Sequence, residues 1–247
     1  MSIRFLLFTS RKYLKIELFL TKTITLAKNK LRKFSQMAEY SNVFQPTFEE
    51  LDSGFSLKGK WKSEVFQNDK PLVVELGCGK GEYSVGLAQK YPEKNFLGVD
   101  VKGARMWQGA SDAIEQDLKN VAFLRTRIEF IEYCFNTDEV DEIWITFPDP
   151  QLKKKRAKNR LTHPVFLERY AKVLKQDGLI HLKTDSQFLH GYTLGIIEGH
   201  QHHLEDAEHD IYNAQLKRSD LEIKTHYEKL FLEKDMQITY LRFRLVK

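Results

Sequence analysis

Beyond residue 70 the apolar positions follow two rhythms in turn, short continuous runs and spacings of three to four residues. Leu72-Val-Val-Glu-Leu76 is a short apolar, β-branched run followed at once by glycines, which predicts a buried strand and a tight turn. Tyr83 to Lys90 predicts a helix that Pro92 ends, and Asn95 to Asp100 a second strand. Gly103 to Lys119 predicts a helix, with Ala104, Trp107, Ala110 and Ile114 three or four residues apart. A third strand over Val121 to Leu124, a short helix over Glu129 to Phe135 and a fourth strand over Glu142 to Phe147 follow. His163 to Lys175 predicts a helix with Phe166, Leu167, Tyr170 and Leu174 on one side, and Leu179 to Lys183 a fifth strand. Helices over 187–199 and Thr225 to Leu232 precede a long final strand, Gln237 to Val246. No internal repeat is present.

Strands alternating with helices predict an α/β fold with a doubly wound, mostly parallel sheet. Ligands of such sheets bind beyond the carboxyl ends of the strands. Glu75, Asp100, Asp149 and Asp185 all stand at or just past such an end, so four separate parts of the chain bring carboxylates to one rim.

The first 70 residues read differently. Residues 1–25 hold two short apolar runs, Phe5 to Phe8 and Ile16 to Leu20, interrupted by Arg11, Lys12, Lys15 and Glu17. Neither approaches the ~20 apolar residues of a membrane span, and no small-residue cleavage site follows, so an amphipathic or disordered extension is expected rather than a targeting signal. Residues 26–70 form a basic lead-in that contains Lys28-Asn-Lys-Leu-Arg-Lys33, and 71–247 the α/β domain. Composition narrows the class further. With 42% hydrophobic and 30% charged residues the chain is globular, neither disordered nor membrane-spanning. A formal charge of +5 suits a polyanionic partner. Two cysteines, Cys78 and Cys134, give no disulfide framework and imply a reducing, cytoplasmic setting.

The turn Val74-Glu-Leu-Gly-Cys-Gly-Lys-Gly81 places glycines at alternate positions, where the backbone turns sharply and approaches a ligand. The spacing is G-x-G-x-G, not the G-x-G-x-x-G of NAD sites, and Glu75 precedes the first glycine by two. A carboxylate there disfavours a pyrophosphate and suits a cationic amino group. S-adenosyl-L-methionine carries an ammonium, a sulfonium and no phosphate. Asp100, 25 residues after Glu75 and at the end of the next strand, is placed to accept hydrogen bonds from ribose hydroxyls. Cys78 reads as a small loop residue rather than a nucleophile. In Phe147-Pro-Asp-Pro150 two prolines fix the backbone around Asp149. Lys153-Lys-Lys-Arg-Ala-Lys-Asn-Arg160 follows directly, six positive charges in eight residues, and suggests contact with RNA phosphates. The four histidines between His200 and His209 lack the spacing of a metal site and read as surface residues.

These residues together resemble the bacterial tRNA (guanine-N7-)-methyltransferases, from about Lys28 to the C-terminus. The most specific stretch is Phe147-Pro-Asp-Pro-Gln-Leu-Lys-Lys-Lys-Arg156, followed by Asn159-Arg-Leu161 and Lys183-Thr-Asp185. Thr225-His-Tyr-Glu228 matches the late T-x-[FY]-E signature, and Asn29 to Lys33 and Asn42 to Pro46 match the N-terminal lead-in. The resemblance implies a Rossmann-like class I methyltransferase domain with seven strands, the last antiparallel. It implies methyl transfer from S-adenosyl-L-methionine to N7 of guanosine 46 in the variable loop of tRNA. Glu75, Gly77, Asp100, Arg127 and Asp149 would bind the donor, and Asp149 would also be catalytic. Lys153, Asp185, Thr225, His226, Tyr227 and Glu228 would contact the target nucleoside, and Lys154, Lys155, Arg156 and Lys158 the RNA. No metal and no membrane are implied, and the protein would act as a monomer or homodimer. The sequence departs from the family in having Gln151 where tryptophan is usual, and Arg127 where an acid or amide is frequent. Arg127 or Glu129 would then make the adenine-side contact. Residues 1–25 have no counterpart, so translation is expected to begin near Leu26. A native peptide covering Lys12 to Lys22 would refute that. A methyltransferase with another substrate, and an inactive RNA-binding protein on the same fold, are the alternatives; the glycine spacing disfavours an NAD oxidoreductase.

Overall fold

The computed structural model describes residues 31–214 and 218–247. The chain forms two compact units, Met1–Tyr40 and Ser41–Lys247. In the first, residues 31–39 are helical; the extension 1–25 and the basic residues Lys28 to Lys30 lie outside the described residues.

The second unit is built on an eight-stranded sheet. Its strands are β1 (Val43–Phe44), β2 (Leu72–Leu76), β3 (Asn95–Asp100), β4 (Val121–Arg125), β5 (Val140–Thr146), β6 (Leu174–Thr184), β7 (His203–Glu208) and β8 (Thr239–Arg244). Their spatial order is β1-β4-β3-β2-β5-β6-β8-β7. Strands β1 to β6 pair in parallel, β8 runs antiparallel to β6, and β7 antiparallel to β8. Six of these strands were located in the sequence, β7 brings the number to the seven that the resemblance implies, and the two-residue β1 adds an eighth. All five residues of β2 are buried, as a central parallel strand covered on both faces requires.

The helices are α1 (Phe48–Asp52), α2 (Glu82–Lys90), α3 (Gly103–Glu115), α4 (Ile131–Cys134), α5 (Pro164–Val173), α6 (Gln187–Gly199) and α7 (His226–Leu232). Side chains alternate across β5 and so feed two different layers. Ile143 and Ile145 join one core with Phe166, Leu167, Tyr170 and Val173 of α5. Trp144, between them, points the other way, 5.1 Å from the Tyr83 ring of α2 and stacked at 4.0 Å on His181 of β6.

Three features differ from the sequence reading. Helix α3 stops at Glu115, and Asp117 takes a left-handed φ of 53° that ends the helical path before the predicted Lys119. Strand β6 begins at Leu174, directly after α5 and ahead of the predicted Leu179, and a bulge around Asp177 (φ 61°) separates this first pairing with β5, at Val140, from the regular pairing that resumes at Glu142. Strand β7 was not expected: His-Leu-Glu-Asp-Ala-Glu is a polar edge strand without an apolar alternation. Part of the lead-in also belongs to this unit. β1 pairs with β4, and the fully buried Trp61 donates its indole N–H to the Cys134 carbonyl at 2.9 Å. The boundary expected between residues 70 and 71 therefore falls inside a compact body.

Candidate active site

The glycine turn after β2 has left-handed φ at Gly77 (79°), Gly79 (56°) and Gly81 (76°), which side-chain-bearing residues adopt only under strain. At Gly81 the space is also closed: a Cβ there would lie 2.6 Å from the Phe123 ring. Helix α2 starts immediately after this turn. Glu75, on β2, is only 2% exposed. Its Oε2 accepts the Ser84 backbone N–H at 2.9 Å and the Ser84 hydroxyl, and its Oε1 accepts the Thr146 hydroxyl. Burial pushes its carboxyl up to about 7, against the pull of those hydrogen bonds. Cys78 is buried and its thiol is raised by burial and by Glu75 and Asp100, which makes it inert as a nucleophile.

Pairing in register carries the ends of four neighbouring strands to one level. Leu76 stands opposite Val99 and Ile145, and Thr146 opposite Lys183. At that level two cavities open side by side. The first, 150 Å³, is lined among others by Glu75, Gly77, Asp100, Thr146, Phe147, Thr225 and Tyr227. The second, 440 Å³, is lined among others by Gly77, Asp100, Arg127, Glu129, Asn159 and Leu161. Gly77 and Asp100 belong to both walls. The Asp100 carboxylate accepts the Gly79 N–H at 2.9 Å and the Lys102 N–H at 2.7 Å, so β3 pins the glycine turn. Arg127 and Glu129 form an ion pair at 3.1 Å with both side chains substantially exposed.

Asp149 and Asp185 stand on the loops after β5 and β6, the same rim, but neither lines the two cavities. Asp149 is exposed, and its Oδ1 accepts the Gln151 N–H at 2.9 Å. Phe147 and Gln151 both take φ of 46°, so the Pro148–Pro150 segment is bracketed by two left-handed non-glycine residues. Such residues persist only where the surroundings hold them, at about 1–3 kcal/mol each. Asp185 is half-buried, and desolvation raises its carboxyl above the ordinary range. In the basic run, Lys153, Lys154, Lys155, Arg156 and Lys158 are exposed, with Lys154–Asn159 forming a 3-10 turn. Arg160, the last charge of the run and not among the four named RNA contacts, is buried.

The segment Thr225 to Glu228 divides in two. Thr225 caps α7 in a reciprocal capping box with Glu228. Thr225 and Tyr227 face the first cavity, and the His226 N–H is tied to Glu82 at 2.9 Å. Glu228 is 0% exposed. Its carboxylate holds Lys183 at 2.8 Å and accepts the Tyr212 hydroxyl at 2.7 Å. Fully enclosed, it supports the cavity wall rather than opening onto it, which corrects its place among the nucleoside contacts. Ser84, Thr146 and Lys183 are functional neighbours that the sequence reading did not single out. Lys183 stood within the quoted Lys183-Thr-Asp185 motif; Ser84 and Thr146 carried no signal, because their meaning is set by contacts across strands. Among the described residues, no group of His, Cys, Asp and Glu is arranged to hold a metal ion, and no helix is long and apolar enough to cross a membrane.

Glu75 gives a pH-dependent prediction. Its folded value is raised from 4.5 to about 7, so its contribution to stability is complete below pH 4.5 and is lost as pH rises through 7. The loss amounts to about 3 kcal/mol between those limits. A cation bound beside Glu75 requires the carboxylate, so its affinity rises from pH 6 to pH 8 with release of a proton. Calorimetry in buffers of different ionisation enthalpy measures that proton. Glu75→Gln is expected to bind such a cation more weakly and with a flat pH profile; a profile like that of the parent would remove Glu75 from the site.

Residues 69–241 match the family model described as "Putative methyltransferase". The chain is 58% identical over 221 residues, 89% of this chain and 99% of the relative, to the tRNA (guanine-N(7)-)-methyltransferase of Christiangramia forsetii. It is 52% identical over 221 residues, 89% of this chain and 87% of the relative, to that of Bacteroides thetaiotaomicron. Among solved structures it is similar in fold to the 16S rRNA (adenine(1408)-N(1))-methyltransferase from Catenulisporales acidiphilia. There the TM-score is 0.55 and the identity 17%, over 75% of this chain and 92% of that one.

Proposed function

We propose, since the chain belongs to the tRNA (guanine-N(7)-)-methyltransferase family, that it methylates N7 of a guanosine in tRNA, at position 46 of the variable loop, with S-adenosyl-L-methionine as donor. The observation that carries this reading is the pair of adjoining cavities sharing Gly77 and Asp100, with a buried carboxylate in one and an exposed cationic turn close to the other. When bound, the donor supplies an electrophilic methyl group on a sulfonium. The residues fit it: desolvation opposes the charge on Glu75, and an ammonium group relieves that opposition. Glu75 is the anchor for the amino-acid end, Asp100 the acceptor for the ribose hydroxyls, and Arg127 or Glu129 the adenine-side contact in the larger cavity. Thr225 and Tyr227 wall the smaller cavity where the base approaches, and Lys153, His226 and Asp185 are the further contacts to the target nucleoside. The protein works in the cytoplasm as a monomer or homodimer.

N7 of guanine presents a free lone pair at neutral pH, so no proton has to be removed before attack. The work left to the protein is alignment and electrostatics. The S–CH3 bond breaks as the N7–CH3 bond forms; the sulfur leaves neutral and the positive charge moves to the guanine ring. A carboxylate fixed beside the ring, Asp149 or Asp185, stabilises that developing charge. Nucleoside analysis of tRNA incubated with the protein and methyl-labelled donor tests the reading. Labelled 7-methylguanosine is expected; label in another nucleoside, or none, would overturn it.

The exposed cations supply a second test. Replacing Lys153, Lys154 and Lys155 together by alanine is expected to weaken tRNA binding and flatten its salt dependence, by a slope of up to about 2 to 3 if each meets a phosphate. A filter-binding series across salt concentrations reads the slope. An unchanged slope would place the RNA elsewhere.

A further inference from the structure

Arg160 closes the basic run but does not share its environment. Its neighbours Lys154, Lys155, Arg156 and Lys158 are exposed, whereas Arg160 is 6% exposed. Its guanidinium lies over two aromatic rings of α6, 4.8 Å from the Phe188 centroid and 4.4 Å from that of Tyr192. Those rings are one helical turn apart and nearly parallel, at 16°. From this seat Nε donates to the Pro150 carbonyl at 3.3 Å and Nη2 to the Gln151 carbonyl at 3.1 Å.

Both carbonyls belong to the bracketed loop around Asp149. Its first end is held by the Phe147 N–H, which donates to the Lys183 carbonyl at 2.8 Å. Its second end is Gln151, with φ of 46°, whose N–H is bound to Asp149 Oδ1 and whose carbonyl is bound to Arg160. The orientation of the Asp149 carboxylate thus depends on Gln151, and Gln151 on Arg160. A lysine is a poor substitute for this guanidinium, because its compact ammonium lacks the planar, rigid fork of donors that reaches both carbonyls from a seat over the two rings.

We infer that Arg160 is a positioning residue for Asp149, a clamp that ties the Pro148–Gln151 loop to α6 rather than a contact to RNA phosphate. This rests on the reading of Asp149 as the catalytic carboxylate. The clamp acts on the alignment of a group with the reacting base, and misplacement of about 1 Å costs on the order of 100-fold in rate.

The test is a double-mutant cycle on single-turnover methylation at saturating tRNA and donor, with Arg160→Ala, Arg160→Lys, Asp149→Ala and the double variant Asp149→Ala/Arg160→Ala. Thermal melts establish the folded fraction, and Arg160→Lys, which retains the stem and the charge, serves where Arg160→Ala does not fold. The expected result is a fall of about 100-fold for Arg160→Ala, no rescue by lysine, and an unchanged tRNA Kd and salt slope. The double variant is expected to be no slower than Asp149→Ala alone. Three results overturn the inference: a weaker Kd with a shallower salt slope at an unchanged rate, a rate per folded molecule equal to the parent's, or equal slowing by Arg160→Ala with and without Asp149. A parent-like rate in Asp149→Ala removes the catalytic reading and this one together. A slowed Asp149→Ala beside an unaffected Arg160→Ala removes only the clamp.

Discussion

Replacing Asp149 by alanine is expected to lower turnover about 100- to 1,000-fold, the usual cost of removing one fixed group that stabilises transition-state charge. The fold and the tRNA affinity are expected to persist, because Asp149 is exposed and contributes no core contact. The side chain has two separable roles in the structure. One Oδ accepts the Gln151 N–H at 2.9 Å and so closes the turn. The negative charge is the other, and it is the one that methyl transfer needs, since the guanine ring becomes cationic as N7 is alkylated. Asp149→Asn keeps an acceptor for Gln151 and removes the charge. If the charge matters, the asparagine variant is nearly as slow as the alanine variant. If only the turn matters, asparagine restores the rate. Single-turnover rates at saturating tRNA decide between them, and a parent-like rate in the alanine variant would take Asp149 out of the mechanism.

Much of this arrangement is legible in the sequence, for identifiable reasons. The central strands β2, β3 and β4 are buried on both faces, so each is a dense apolar run bounded by glycine, proline or a charged residue. The turn from Gly77 to Gly81 shows itself because left-handed backbone selects glycine. The caps, Thr225 with Glu228 on α7 and His163 before Pro164 on α5, emerge only with the structure. What the sequence hides is whatever depends on a partner far along the chain. Strand β7 is held by β8 alone and needs no apolar face. Glu75 reads as a carboxylate facing a ligand, and it does line the smaller cavity, but the hydrogen bonds from Ser84 and Thr146 that fix its two oxygens are invisible in the sequence. Arg160 reads as one more cation in a run, and only the approach of α6 separates it from its neighbours.

The second large effect is expected at the Lys183–Glu228 pair. Both side chains are 0% exposed and 2.8 Å apart. Lys183 also donates to the carbonyls of Leu221 and Ile223, each at 3.0 Å, so one ammonium gathers the Ser219–Glu222 turn, the start of α7 and the end of β6. Burial lowers the lysine from its ordinary value, and Glu228 opposes that shift. Removing one partner leaves the other as an uncompensated buried charge, which costs about 3–5 kcal/mol. For a unit of this size Tm falls by about 2–4 °C per kcal/mol, so Glu228→Ala is expected to melt roughly 10 °C below the parent. The joint replacement Lys183→Met/Glu228→Leu removes both charges and is expected to recover most of that loss. Activity is expected to behave otherwise. Thr225 and Tyr227 wall the smaller cavity because α7 is pinned through Glu228. An apolar pair restores burial without the directional bonds to Leu221, Ile223 and Thr225, so the joint variant is expected to be stable and still slow. Thermal melts paired with methylation rates separate the two roles: recovery of both together would make the ion pair a stabilising element alone, and a Glu228→Ala melting within 2 °C of the parent would show that the pair does not hold this part of the fold.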